Sequence, residues 1–181
     1  MKLRISAHFP FIIFLFICLI YLSFPSYDFN LDALHYNILN FSCIENGLKQ
    51  LLYDESTPVH LLWHLLNALL TITIKPINLL QSLYILRAFN IFLALIYIYF
   101  FWRFLREFGD DRLALLFTVA LAFSNACLQY FLSLEVYALN NIFILLYFAL
   151  IFRFCNSNPD RRFEINSTEI VIISIAAFST V

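Results

Sequence analysis

The chain has 181 residues, of which 62% are hydrophobic and 13% are charged, and its formal net charge is −1. Soluble domains average about half apolar and about a quarter charged residues, so this composition predicts a protein whose solvent is mostly lipid. The near-neutral charge excludes the basic footprint of a nucleic-acid-binding protein, and the apolar content excludes intrinsic disorder.

Five apolar segments predict an all-α fold for the whole chain, residues 1–181, as a single polytopic membrane domain. Four of them come near the ~20 residues that a helix needs to cross a hydrocarbon core. The fifth stops at Val181 after about 13 residues, too few to cross, so we expect a domain that is incomplete at its C-terminus. In chain order the segments are residues 8–24, 84–105, 113–132, 135–153 and 169–181.

The first apolar segment is preceded by Lys2 and Arg4. A cleaved signal peptide would have a shorter apolar core and small residues before its cleavage site. The sequence SFPSY at residues 23–27 lacks that pattern. We therefore expect an uncleaved anchor in a plasma, inner or endoplasmic reticulum membrane. Its N-terminus should lie in the cytoplasm, because basic residues favour that side.

Residues 25–83 predict a long external loop with a juxtamembrane amphipathic helix within Pro58–Lys75. If this helix lies on the membrane surface, only Lys49, Lys75 and Arg87 of the eleven Lys and Arg residues are external, as the positive-inside rule favours. The polar residues of the helix recur every three or four positions, which predicts one polar face and otherwise apolar faces. These residues are His60, His64, Asn67, Thr71 and Lys75.

The external loop also carries carboxylates close to the anchor. Asp28 and Asp32 are four residues apart and His35 follows three residues later, so the three share one face if the segment is helical. A carboxylate in such a place can accept a proton from an attacking group while a second one orients that group. The alternative is a solvated loop with ordinary surface acids.

Other polar residues are predicted at the same membrane face. His60 and His64 have the spacing of two metal ligands, but without an H-E-x-x-H motif we interpret them as interfacial polar residues. Arg87 begins the second span at its external end, where it either snorkels or holds an anionic headgroup, since guanidinium groups suit phosphate oxygens. Glu135 and Tyr137 begin the fourth span. Together these residues outline an external cavity at membrane level.

Four short motifs resemble the N-terminal part of GT-C-type glycosyltransferases, the superfamily of protein O-mannosyltransferases and lipid A aminoarabinose transferases. An acidic loop follows the anchor, and a Pro-led amphipathic stretch follows the loop. Next comes a predicted span that begins with an Arg-containing motif and ends with a basic one. An E-x-Y-A-L pattern comes last. The motifs are YDFNLD at 27–32, TPVHLLW at 57–63, LRAFN at 86–90 with WRFLR at 102–106, and SLEVYAL at 133–139.

The resemblance implies transfer of a sugar from a polyprenyl-phosphate carrier to an acceptor at the external membrane face. It implies that Asp28 or Asp32 is the catalytic base, and we prefer Asp32 because His35 lies beside it. Arg87 would lie near the donor phosphate and Glu135 would line the cavity. The further substrate-contacting positions are His35, His60, His64 and Tyr137. A divalent cation would be compatible with this chemistry, although the sequence shows no metal-ligand set.

The chain departs from the family in two respects. The juxtamembrane stretch lacks the usual double proline, and complete family members are at least about twice as long. We therefore expect an N-terminal fragment whose partners are a missing C-terminal region or other membrane subunits. The rival interpretation is a non-catalytic multi-pass membrane protein: a degenerate fragment, a transporter part or a subunit that stabilises a partner. Paired broken helices would indicate a transporter, and the sequence shows none.

Overall fold

The structure is a computed structural model that describes residues 9–23, 31–53, 61–124, 126–128, 137–156 and 171. The part of the chain that it describes is helical throughout apart from short turns, as the composition predicted. The helices are α1 (Phe9–Ser23), α2 (Leu31–Asn46), a 3₁₀ helix (Gly47–Tyr53), α3 (Leu61–Ile74), α4 (Leu79–Leu105), α5 (Asp111–Ala122) and α6 (Tyr137–Asn156).

Helix α4 forms the centre of the fold, and each of the other α-helices packs against it. It begins at a defined cap, because the Asn78 side chain accepts a hydrogen bond from the backbone N–H of Gln81. The Gln81 side chain in turn accepts from the backbone N–H of Ile77 at 2.9 Å. These two bonds satisfy donors that a helix start leaves open, so α4 begins five residues before the predicted span 84–105.

Among the described residues, α4 is the one helix long and apolar enough to cross a membrane. Its 27 residues have a mean hydropathy of 1.8 in the best window, and its length is about 40 Å at 1.5 Å per residue. Within the described residues, the other apolar helical stretches have 10 to 17 residues, fewer than the ~20 that cross a hydrocarbon core. They are Ile12–Tyr21 within α1, Leu62–Ile74 within α3 and Ala138–Phe152 within α6.

The prediction of four complete spans with a truncated fifth is therefore wrong for the part of the chain that the structure describes. The predicted anchor 8–24 holds a described helix of 15 residues, and the predicted span 113–132 overlaps α5, which has 12. Most of the predicted segment 169–181 lies outside the described residues. In these two predicted spans the described helix is shorter than the apolar run.

The end of α5 shows why an apolar run is not always one helix. The hydroxyl of Ser124 donates to the Leu121 carbonyl at 2.7 Å and accepts from the Cys127 N–H at 3.2 Å. A serine hydroxyl that bonds to nearby backbone groups competes with the helical pattern. The chain accordingly turns at residues 123–124, and residues 126–128 are helical again. An average of hydropathy over a segment does not detect a side chain that forms such hydrogen bonds with the backbone.

Tyr21 of α1 links the end of α5 to α1 and α4. Its hydroxyl donates to the Ala122 carbonyl at 2.5 Å and lies 3.4 Å from the sulfur of Cys127. Its own carbonyl accepts a hydrogen bond from Arg87 of α4 at 3.2 Å. The last carbonyls of a helix have no partner within the helix, so α1 and α5 both have such a group satisfied by a side chain of another helix.

Apolar side chains are found both in the interior and on the surface. Large apolar side chains lie on the surface, with Ile77, Leu116 and Tyr84 exposed by 86%, 63% and 60%. Proteins in water rarely expose such a surface. The buried polar side chains of the described residues are Asn37, Asn40, His64, Asn67, Thr71, Ser82, Asn90 and Thr118.

We predict that Tyr21→Phe lowers the free energy of unfolding by about 1–2 kcal/mol, because the Ala122 carbonyl loses its donor in a buried site. The measurement is the midpoint of thermal unfolding in detergent. Tyr147→Phe is the matched control, since Tyr147 is 42% exposed, and its effect should stay within about 0.5 kcal/mol. Equal midpoints for the two variants would contradict the role of Tyr21.

Candidate functional site

The buried polar side chains concentrate where α2, α3 and α4 meet. We call this group the polar seam. Because the three helices pack against one another in pairs, each contributes one polar face to a common interior. The seam consists of Asn37 and Asn40 on α2, of His64, Asn67 and Thr71 on α3, and of Ser82 and Asn90 on α4.

Three hydrogen bonds hold the seam in place. The Asn37 amide donates to the Leu79 carbonyl at 2.9 Å, which joins α2 to the first turn of α4. The indole N–H of Trp63 donates to the Asn90 side chain at 3.3 Å, which joins α3 to the middle of α4. The Asn67 amide donates to the Trp63 carbonyl at 3.0 Å within α3.

Several seam atoms are buried without a hydrogen-bond partner among the described residues. They are Oδ1 of Asn37, both amide atoms of Asn40, Oδ1 of Asn67 and Oγ of Ser82. A buried polar group without a partner costs about 1–3 kcal/mol. The seam therefore offers amide and hydroxyl groups that both donate and accept, which suits neutral groups such as a water molecule or a hydroxyl.

His64 of the seam lies inside an aromatic cluster. Its ring meets those of Tyr36 and Trp63 edge-on, at centroid distances of 4.8 and 5.1 Å. The ring of His35 also packs against Tyr36, with a centroid distance of 5.8 Å. Of the predicted substrate-contacting histidines, His35 is exposed, whereas His64 is fully buried.

The polar face of α3 was predicted to meet water, and the structure places it inside. His64, Asn67 and Thr71 are at most 3% exposed, whereas Leu69 and Ile74 on the outer side are 43% and 52% exposed. The sequence spacing correctly identified the stripe but not the side on which it lies. The polar face packs inward because α2 and α4 present amides and a hydroxyl there.

Arg87 lies deeper in its helix than predicted. It was expected at the external end of a span, but α4 begins at Leu79, so Arg87 is about 12 Å along the helix from that end. Its guanidinium bonds to the Tyr21 carbonyl in the last turn of α1, where a cation is favoured by the helix dipole. The Nε atom is buried without a hydrogen-bond partner among the described residues. The side chain is therefore fixed by the protein rather than snorkelling freely.

The remaining predicted site residues cannot be located with their side chains. Asp28, His60 and Glu135 lie outside the described residues. Asp32 lies in the first turn of α2 and Tyr137 begins α6, and the described side chains do not include theirs. Since α2 is helical from Leu31, Asp32 and His35 are three residues apart on neighbouring turns, as predicted.

The asparagines of α2 were not recognised as a feature of the sequence. Asn37 and Asn40 are three residues apart in the stretch YNILNF at 36–41, the same spacing that drew attention to α3. Two helices with such polar positions, separated by 14 residues, could have indicated that these positions face each other.

The cysteines and potential metal ligands add little to the site. Cys18, Cys43 and Cys127 carry free thiols. Burial raises the pKa of the Cys43 thiol, so it stays protonated and unreactive at neutral pH. Within the described ranges, no three His, Cys, Asp or Glu side chains are grouped closely enough to hold a metal ion.

Comparison with protein-family models, with curated proteins and with solved structures finds no match to this chain. Its function must therefore be argued from the side chains and contacts described above.

We predict that two substitutions of the same kind have opposite effects on stability. Asn40→Leu removes a buried amide without a partner and should raise the free energy of unfolding by about 1 kcal/mol. Asn90→Leu removes the acceptor of the Trp63 indole and should lower it by about 1–3 kcal/mol. Thermal unfolding of both variants in detergent measures the difference. Destabilisation by Asn40→Leu would indicate that Asn40 has a partner that these contacts do not include.

Proposed function

We propose that the chain is an integral membrane protein in which α4 crosses the bilayer. The exposed apolar surface supports this proposal best, since large apolar side chains face outward as well as inward. Between Leu79 and Leu105 the only charged residues are Arg87 and Arg103, and Arg87 bonds to the protein itself. A charge within the hydrocarbon layer is expected to have such a partner.

We further propose that the N-terminus lies in the cytoplasm. Lys2 and Arg4 precede the apolar sequence of α1, and basic residues next to a membrane helix favour the cytoplasmic side. The protein would belong to the inner, plasma or endoplasmic reticulum membrane.

The membrane assignment predicts the behaviour of the chain during alkaline extraction. Isolated membranes that contain the protein are washed with sodium carbonate at high pH and centrifuged. An integral protein remains in the pellet and dissolves only in detergent, because its apolar surface stays in the lipid. Release into the carbonate supernatant would overturn the assignment.

For the activity, we propose transfer of a sugar from a polyprenyl-phosphate donor to an acceptor at the membrane surface. The motifs that resemble GT-C-type enzymes support this proposal, as does the contact of Arg87. The carbonyl that Arg87 binds belongs to Tyr21, seven residues before Asp28. A guanidinium at this point would lie close to where the chain leaves α1 for the acidic stretch, and it suits a phosphate group.

The proposed reaction is an inverting displacement. The acceptor hydroxyl attacks the anomeric carbon of the donor sugar, and its proton passes to the carboxylate of Asp32 or Asp28. The bond between the anomeric carbon and the phosphate oxygen breaks, and polyprenyl phosphate leaves with the electron pair. Arg87 would stabilise the negative charge of that leaving group.

We predict that Asp32→Asn and Asp28→Asn each abolish or strongly lower this transfer, by about 100-fold or more for the residue that acts as base. The measurement is transfer of labelled sugar from a polyprenyl-phosphate donor in membranes that contain the whole chain. Glu45→Gln is the matched control, because Glu45 is an exposed carboxylate in the last turn of α2. Unchanged transfer in both Asp variants would remove the acidic-loop mechanism.

A non-catalytic membrane subunit is the second candidate, and the burial of the polar seam favours it. Amide side chains between helices in a membrane stabilise helix association, because they form hydrogen bonds across the interface and are kept away from the lipid. A chain without transferase activity in the assay above, and with Asn90→Leu destabilised as predicted, would fit this role.

A further inference from the structure

The position of α3 relative to α4 has a consequence for the membrane. The two helices are joined by the short turn at residues 75–78 and pack against each other. Lys75 ends α3 in the left-handed conformation, with φ of 53°, and its N–H bonds to the Thr71 carbonyl at 2.8 Å. The chain therefore reverses within four residues and α3 runs back along α4.

The far end of α3 is also fixed to α4. The bond from the Trp63 indole to Asn90 joins a residue 11 positions before Ile74 on α3 to one 11 positions after Leu79 on α4. Eleven helical residues measure about 17 Å. Helix α3 thus lies alongside the first half of α4 over more than half the thickness of a hydrocarbon core of about 30 Å.

The outer face of α3 suits hydrocarbon rather than water. Leu61–Ile74 contains no Asp, Glu, Lys or Arg. Leu66, Leu69 and Ile74 are exposed on the outer face. The one hydroxyl exposed there, that of Thr73, donates to the Leu69 carbonyl at 2.7 Å within its own helix. A hydroxyl that faces lipid has to bond in this way, because the solvent offers no acceptor.

We propose that α3 is a re-entrant half-helix. It lies inside the bilayer next to α4, with its apolar face on the lipid acyl chains and its polar face on the seam. Its C-terminal end is joined to α4 by the turn at residues 75–78, and its N-terminal end lies near mid-depth. The proposal rests on the proposed membrane crossing of α4. It differs from the surface helix that the sequence predicted, because a surface helix would present its polar face to water, and this face is buried against α2 and α4.

The test is the labelling of single cysteines with a membrane-impermeant maleimide in open membrane fragments. The four native cysteines are first replaced by alanine. Leu69→Cys reports on the outer face of α3, Phe92→Cys on the 56% exposed Phe92 of α4, and Lys49→Cys on an exposed site of the 3₁₀ helix. Maleimide reacts with the thiolate, which forms in water and not in hydrocarbon.

We expect Leu69→Cys and Phe92→Cys to react at least about tenfold more slowly than Lys49→Cys in membranes, and all three to react alike after denaturation in detergent. Fast labelling of Leu69→Cys with slow labelling of Phe92→Cys would overturn the re-entrant α3 and leave the crossing of α4 intact. Fast labelling of both would overturn both.

A second measurement keeps the native cysteines. Trp102→Phe leaves Trp63 as the only tryptophan, since the chain has two. Its fluorescence is then measured in bilayers whose lipids carry bromine at different depths. A re-entrant α3 predicts the strongest quenching by bromine deep in the acyl chains, because Trp63 lies about 17 Å along α3 from the turn. Strongest quenching by bromine near the headgroups would contradict the proposal.

Discussion

A charged side chain in an apolar layer has to find its partners within the protein, and Arg87 does so at the end of α1. Its bond to the Tyr21 carbonyl joins α4 to α1, and the Tyr21 hydroxyl extends the connection to the end of α5. Carbonyl groups at the ends of α1 and α5, which have no partner within their own helix, thereby form contacts with other helices. The arrangement of the helices around α4 depends on this chain of polar groups as much as on apolar packing.

The sequence predicted an all-helical chain and located the core of α4, because a long apolar run with only two charged residues has few alternatives. It did not predict how long the other helices are. The run over 113–132 is interrupted by Ser124, whose effect depends on its hydrogen bonds rather than on its hydropathy. The start of α4 was missed although Asn78 and Gln81 form a recognisable capping pair.

The candidate site was predictable only in part. The polar stripe of α3 was visible in its spacing, but periodicity gives the angle between faces and not the direction of the interior. That direction depends on contacts between residues distant in sequence, such as the bond of Asn37 on α2 to Leu79 of α4 and that of Trp63 on α3 to Asn90 of α4. Arg87 was identified as important, whereas its partner is a backbone carbonyl that no sequence pattern indicates.

Lys75 shows two requirements in competition at a single residue. A side chain in the left-handed region costs about 1 kcal/mol relative to glycine, so the reversal between α3 and α4 would be easier to form without it. Glycine, however, would remove the exposed cation at the end of α3, where the helix dipole favours positive charge. The hairpin thus keeps a mildly strained backbone, and in the proposed membrane arrangement the lysine would hold the turn at the water boundary.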